Sequence, residues 1–156
     1  MMRQDYILRL IGELRQFVAA VLGSGDPARA GEALHAILHA QQRLFQVPTA
    51  QFLGLTLDQQ LDLLGRAEAP AHAVEKAATY AATLIEAARV YDATHRDDLA
   101  AGSRQLALAV LLTAAQRWPG QRDQLAAEVA QLRTALPAES LHPPVRELLR
   151  TWDDAP

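Results

Sequence analysis

The stretch PAHAVEKAATYAATLIEAARVYDATHRDDLAAGSRQLALAVLLTAAQRWPG, residues 70–120, contains two long helical patterns joined by a short polar turn. Pro70 suits the first turn of a helix, where no backbone N–H is needed, and the first helix is expected to end near Thr94. Its apolar stripe recurs at helical spacing and consists of Val74, Ala77, Ala78, Ala81, Ile85, Ala88 and Tyr91. The second helix is expected to be capped by Asp97 or Asp98 and to end near Trp118. The two patterns predict an antiparallel hairpin, in which the many alanines allow close approach.

The middle of the second helix, LALAVLLTAA (Leu106–Ala115), is apolar almost all round. Such a helix is usually buried on several sides, so it is expected at the centre of the fold or in a subunit interface. It is too short to cross a bilayer, which needs about 20 apolar residues. The sequence therefore predicts no membrane partner.

Five further helices are predicted outward from this hairpin. They run from about Arg3 to Leu22, from Pro27 behind an Asp26 N-cap to Phe45, from Leu57 to Arg66 behind a Thr56/Gln59 capping box, from Arg122 to Leu136, and from Pro144 to Trp152. The buried line of the second of these is expected to consist of Ala30, Leu34, Ile37, Leu38, Gln41 and Phe45. The segment 46–56 is expected to be the loosest part. The prediction is one all-α domain, residues 1–152, of about seven helices stacked as antiparallel hairpins, with a disordered tail over 153–156.

Composition narrows the class of protein. Of the 156 residues, 50% are hydrophobic and 5% aromatic, so alanine and leucine, which favour helix, fill the core. The net charge is -3 and the basic residues are scattered, whereas nucleic-acid binders concentrate them; no nucleic-acid partner is expected. Cysteine is absent, and the first residues lack a signal peptide's continuous apolar core, so a cytoplasmic protein is expected.

Two helix starts share a pattern. GDPARAGEAL (25–34) and RDDLAAGSRQ (96–105) both have an acidic residue at the second position, at the start of the helix, and place alanine and then glycine at matching offsets. This pattern resembles the turn and second helix of a tetratricopeptide repeat, with Ala30 and Ala101 at the small position and Tyr91 where the first helix carries a tyrosine. Gln105 departs from it, because Leu34 supplies an apolar residue at that offset. The resemblance implies tetratricopeptide-like stacking of helix hairpins, the alternative being a helical bundle.

The first helix carries a second resemblance. The pattern consists of Arg3, Asp5, Tyr6, Arg9, Ile11 and Leu14. It is similar to the opening of a family of small bacterial all-helical proteins to which no activity is assigned. The resemblance implies a helical, tetratricopeptide-like fold and leaves function open.

The polar rim of the first helix is a candidate partner-binding edge. One interpretation is local ion pairing, since Asp5 and Arg9 are four residues apart; the other is a docking edge, to which tyrosines contribute both apolar area and a hydroxyl. The candidate partner-binding residues are Arg3, Asp5, Tyr6, Arg9 and Tyr91.

EALHAILHA (32–40) places Glu32, His35 and His39 on one flank of a helix. Histidines at i and i+4 can share a metal ion, but a firm site needs a third or fourth protein ligand. The candidate metal ligands are therefore Glu32, His35 and His39. The alternative is an ordinary solvated face.

No catalytic constellation is visible. His95-Arg96-Asp97 spells a kinase triplet without the rest of that signature, and Gly23-Ser24-Gly25 lacks the lysine of a phosphate loop. The sequence favours a protein–protein interaction or scaffold module that binds a protein or peptide partner and needs no cofactor. Two alternatives stay open: a metal- or small-ligand-binding bundle, an enzyme included, that uses Glu32, His35 and His39, and a homodimeric regulator whose Leu106–Ala115 helix forms the interface.

Overall fold

The computed structural model describes residues 2–155, with side chains from Tyr6 onward. This part of the chain contains eight α-helices and no strand. The helices are α1 (Met2–Gly23), α2 (Ala30–Phe45), α3 (Thr49–Leu53), α4 (Leu57–Gly65), α5 (Pro70–Ala93), α6 (Asp97–Arg117), α7 (Ala126–Ala135) and α8 (Pro143–Asp154), with 3₁₀ turns at Pro27–Arg29, Pro119–Leu125 and Ala138–Ser140. The all-α prediction is confirmed.

Local capping signals set several of these boundaries. The Gln59 backbone N–H donates to the Thr56 hydroxyl at 3.2 Å, and the Thr56 N–H donates to the Gln59 side-chain oxygen at 2.9 Å, which completes the predicted capping box. The Asp26 carboxylate accepts from the Ala28 N–H at 3.0 Å. It caps a 3₁₀ turn, so α2 itself begins three residues later than its cap suggests.

Three boundary predictions are corrected. Arg96 is the N-cap of α6, without a side-chain cap hydrogen bond, while Asp97 and Asp98 lie in its first turn and favour the helix through its dipole. The segment expected to be loose contains α3. The C-terminal tail is helical through Asp154, and Arg133 binds the Asp153 carboxylate at 2.7 and 3.1 Å; Pro156 lies outside the described residues.

The α5–α6 hairpin occupies the centre of the fold. Helices α1, α2 and α4 pack on α5, and α7 and α8 pack on α6. Residues Leu108, Val110 and Leu111 of α6 are completely buried within this single chain. Of the two positions predicted for the 106–115 segment, the centre of the fold is where most of it lies, whereas Leu106 at its start is 40% exposed. None of the helices within residues 2–155 is long and apolar enough to cross a membrane.

Glu86 is a buried carboxyl group between α5 and α1. Its side chain is 2% exposed; Oε2 lies 3.4 Å from the Arg89 Nε, and Oε1 has no hydrogen-bond partner. Burial raises the pKa of Glu86, and the charges of Arg89 on α5 and Arg15 on α1 lower it by less. A carboxyl group with a raised folded-state pKa favours folding below its unfolded pKa, and this contribution is lost as the pH rises through the folded pKa.

Glu86→Gln is therefore expected to increase the free energy of unfolding near neutral pH. The gain should be on the order of 1 kcal/mol, the scale at which unmet buried polar atoms act. This gain in stability should vanish when the pH is below 4.5, the ordinary pKa of a glutamate. Urea denaturation on both sides of that pH measures it, with the exposed Glu13→Gln as control. A variant that is less stable than the wild type at neutral pH would show that pairing with the arginines outweighs burial.

Candidate functional site

An open groove lies between α2 and α6, with α5 as its floor and α3 at one end. Its volume is about 470 Å³, within the range of ligand pockets in proteins. We call it the leucine groove and define it by Leu34, Leu38, Leu53, Leu99, Gly102 and Leu106. Tyr91, half-buried on α5, also lines it, and Asp98 at the start of α6 is the charged residue on its wall.

The leucine groove collects exposed apolar side chains. The large apolar side chains that are exposed among the described residues are Tyr6, Leu8, Phe17, Leu38, Leu53, Leu99 and Leu106. Four of these seven line the groove, with exposed fractions between 38% and 57%. Isolated exposed leucines are ordinary on protein surfaces, whereas a contiguous apolar patch marks an interaction surface.

Helical spacing accounts for this grouping. Leu99 and Leu106 are seven residues apart on α6, two turns along one face, and Gly102 lies between them. A Cβ atom added to Gly102 would meet no heavy atom within 4 Å, so the groove is open at its middle. Leu34 and Leu38 form the opposite wall at i and i+4 on α2.

The predicted buried line of α2 was wrong at Leu38. This side chain is 38% exposed and Leu34 is half-buried, whereas Ile37, Gln41 and Phe45 are buried as predicted. The helix also buries a neighbouring line, which consists of Ala33, Ala40 and Leu44. Both lines have helical periodicity, but two alanines in the second let α2 approach its neighbours closely. The bulkier leucines are thereby turned toward the groove. The leucine groove could have been found in the sequence by assigning the core stripe of each helix and then asking which apolar residues remain.

The predicted partner-binding residues lie on different surfaces. Tyr91 lines the leucine groove, whereas Tyr6 lies on α1, where its hydroxyl accepts a hydrogen bond of 2.9 Å from the Arg43 Nε. Arg9 is exposed on α1. The side chains of Arg3 and Asp5 lie outside the described residues, and so does any ion pair between Asp5 and Arg9. The structure therefore does not join Tyr6 and Tyr91 into one edge.

The candidate metal ligands Glu32, His35 and His39 gain no additional ligand from the described part of the fold. His35 and His39 are exposed on α2, and the Glu32 carboxylate accepts a hydrogen bond of 3.3 Å from the Arg29 Nε. Within the described part of the chain, no group of three or more His, Cys, Asp or Glu side chains could hold a metal ion. The metal-binding hypothesis stays a prediction, with no further ligand added by the fold.

No protein-family model, curated protein or solved structure matches the chain. The two resemblances seen in the sequence therefore stay predictions. Any functional inference depends on the surfaces of this fold.

Proposed function

We propose that the protein is an interaction module that binds an amphipathic helix of a partner protein in the leucine groove. The observation that supports this proposal most strongly is the concentration of exposed leucines on one groove. Helix-in-groove recognition places one apolar helix face into such a surface. The absence of a catalytic constellation in the sequence agrees with a binding function.

The shape of the groove favours a helix as its occupant. Helices α2 and α6 both pack on α5 and leave a channel between them. The distance from Leu99 to Leu106 along α6 corresponds to about 10 Å, or two helical turns. An incoming helix with apolar residues at i, i+4 and i+7 presents a stripe of matching length. A basic residue near one end of that stripe would face Asp98.

A different protein fits the groove better than a second copy of this chain. Outside the groove, the exposed large apolar side chains of the described residues are Tyr6, Leu8 and Phe17, all on α1. Leu8 and Phe17 are nine residues apart and lie on opposite sides of that helix. Tyr6 and Phe17 share a side but are eleven residues apart, and the exposed Glu13 lies between them. The described helices therefore offer no exposed apolar stripe that could fill the groove of another copy.

Selection from a displayed library of helical peptides tests the proposal. We expect enrichment of peptides with large apolar residues at i, i+4 and i+7, and a basic residue near one end. Leu53→Asp should weaken binding of an enriched peptide at least about tenfold, since it places a charge on an apolar contact. Leu8→Asp is the matched control, because Leu8 and Leu53 are both 57% exposed. Fluorescence anisotropy of the labelled peptide measures both affinities.

Three outcomes would contradict the proposal. A library that yields no sequence with a periodic apolar pattern would exclude a helical occupant. Equal affinities for Leu53→Asp and the wild type would place the contact elsewhere. A stable dimer that Leu53→Asp dissociates would identify a second copy as the occupant.

A further inference from the structure

A second cleft lies on the other side of α2, between the start of α1, the end of α2 and the turn that joins α4 to α5. Its volume is about 370 Å³. We call it the basic cleft and define it by its polar residues Tyr6, Arg43, Arg66 and Lys76 and its apolar residues Val47 and Leu63. The basic cleft has cationic groups beside an apolar wall, whereas the charged residue that lines the leucine groove is the acidic Asp98.

The basic cleft carries surplus positive charge. Lys76 pairs with Glu68 at 3.4 Å, and both side chains are largely buried, at 17% and 7% exposure. Arg43 uses its Nε to donate to Tyr6 and keeps its two terminal nitrogens for another acceptor. Over residues 6–155, neither Arg43 nor Arg66 forms an ion pair with a carboxylate. Glu68, which also lines the cleft, is engaged by Lys76, and two guanidinium groups remain beside the cleft without a carboxylate partner among residues 6–155.

The backbone of the cleft is held in unusual conformations. Ala67 has a φ of 58° and Gln46 a φ of 61°, and both residues line the cleft. Gln46 ends α2 in a common left-handed cap. Ala67 is the third residue of a turn that the Glu68 N–H closes by donating to the Gly65 carbonyl at 3.1 Å, a position that requires a positive φ. The left-handed conformation costs an alanine about 1 kcal/mol. This turn places Arg66 beside the cleft.

We infer that the basic cleft binds a small organic anion. Its carboxylate or phosphate group pairs with Arg43 and Arg66, because guanidinium groups bind planar and tetrahedral oxyanions through two parallel hydrogen bonds. Its apolar body packs on Val47 and Leu63. The Tyr6 hydroxyl, held by Arg43, is a further hydrogen-bonding group at the mouth. This ligand is separate from the helix proposed for the leucine groove.

Titration with benzoate and phenyl phosphate, followed by backbone amide NMR at low ionic strength, tests the inference. Both probes are expected to shift the amides of Val47, Arg66 and Ala67. Benzamide has the shape of benzoate without its charge and should bind at least about tenfold more weakly, since it loses charge-assisted hydrogen bonds. The tighter of the two anions identifies the oxyanion as carboxylate or phosphate.

Variants locate the contact. Arg43→Gln and Arg66→Gln should each weaken binding of the better probe at least about tenfold, and together abolish it. Arg96→Gln is the matched control, because Arg96 is also an exposed arginine without a carboxylate partner within residues 6–155. Unchanged unfolding transitions confirm that the variants fold. The inference is overturned if no probe shifts these amides, if benzamide binds as tightly as benzoate, or if the double variant binds like the wild type.

Discussion

Leu111→Ala is expected to lower the free energy of unfolding by about 2–5 kcal/mol while leaving the molar mass in solution unchanged. Leu111 lies in the middle of α6, is completely buried, and belongs to the large core cluster that α6 shares with α5, α7 and α8. Truncation removes apolar contacts and leaves a cavity in a close-packed interior. A loss of this size is a large part of the total stability of an ordinary domain, about 5–15 kcal/mol.

Urea denaturation and analytical ultracentrifugation measure the two parts of this prediction. Leu8→Ala is the control: Leu8 is 57% exposed, so its truncation should change the stability by less than about 0.5 kcal/mol. The homodimeric-regulator hypothesis makes the opposite prediction, because an interface position should weaken a dimer more than it unfolds a monomer. Dissociation of a dimer by Leu111→Ala, with little loss of stability, would contradict a core role for the helix.

Much of the fold could be predicted because its signals are local. Pro70, the Thr56/Gln59 capping box and the apolar stripe of α1 act within one or two helical turns, so the helices they define appear close to where the sequence predicts them. Helix α3 was missed for the opposite reason. Its Phe52 is completely buried and stacks on Phe45 of α2 with ring centroids 4.6 Å apart. That contact depends on how two segments meet in space, which helical periodicity does not report.

The candidate surfaces were less predictable than the helices. The sequence predicts that Tyr6 and Tyr91 bind a partner, but only the packing of α1, α2 and α6 around α5 assigns them to two different surfaces. Leu38 illustrates the same limit, because two neighbouring lines on α2 have equal periodicity and the choice between them depends on which one α1 and α5 accept. The basic cleft is formed by residues from α1, α2, α4 and α5, so no local sequence motif predicts it.

Gly102→Arg is expected to abolish binding of a groove-selected peptide while making the fold more stable. Gly102 is exposed inside α6 and has no heavy atom within 4 Å of the position of an added Cβ, so the first atom of a larger side chain meets no clash. Replacing a glycine within a helix by a good helix former stabilises it by about 0.5–1 kcal/mol. The long charged side chain would fill the middle of the leucine groove and could pair with Asp98 one turn earlier on α6, so it would take both the space and the acidic partner that the incoming helix needs. Gain of stability and loss of binding are thus expected in one variant.

The affinity of the labelled peptide for Gly102→Arg, compared with that for Gly12→Arg, tests the leucine groove most directly. Gly12 is the matched control, because it also lies within a helix with nothing within 4 Å of an added Cβ, and it is on α1 outside the groove. Fluorescence anisotropy should show a loss of about a hundredfold or more for Gly102→Arg, which corresponds to about 2.7 kcal/mol, and wild-type affinity for Gly12→Arg. Equal affinities of the two variants would contradict helix binding in the leucine groove.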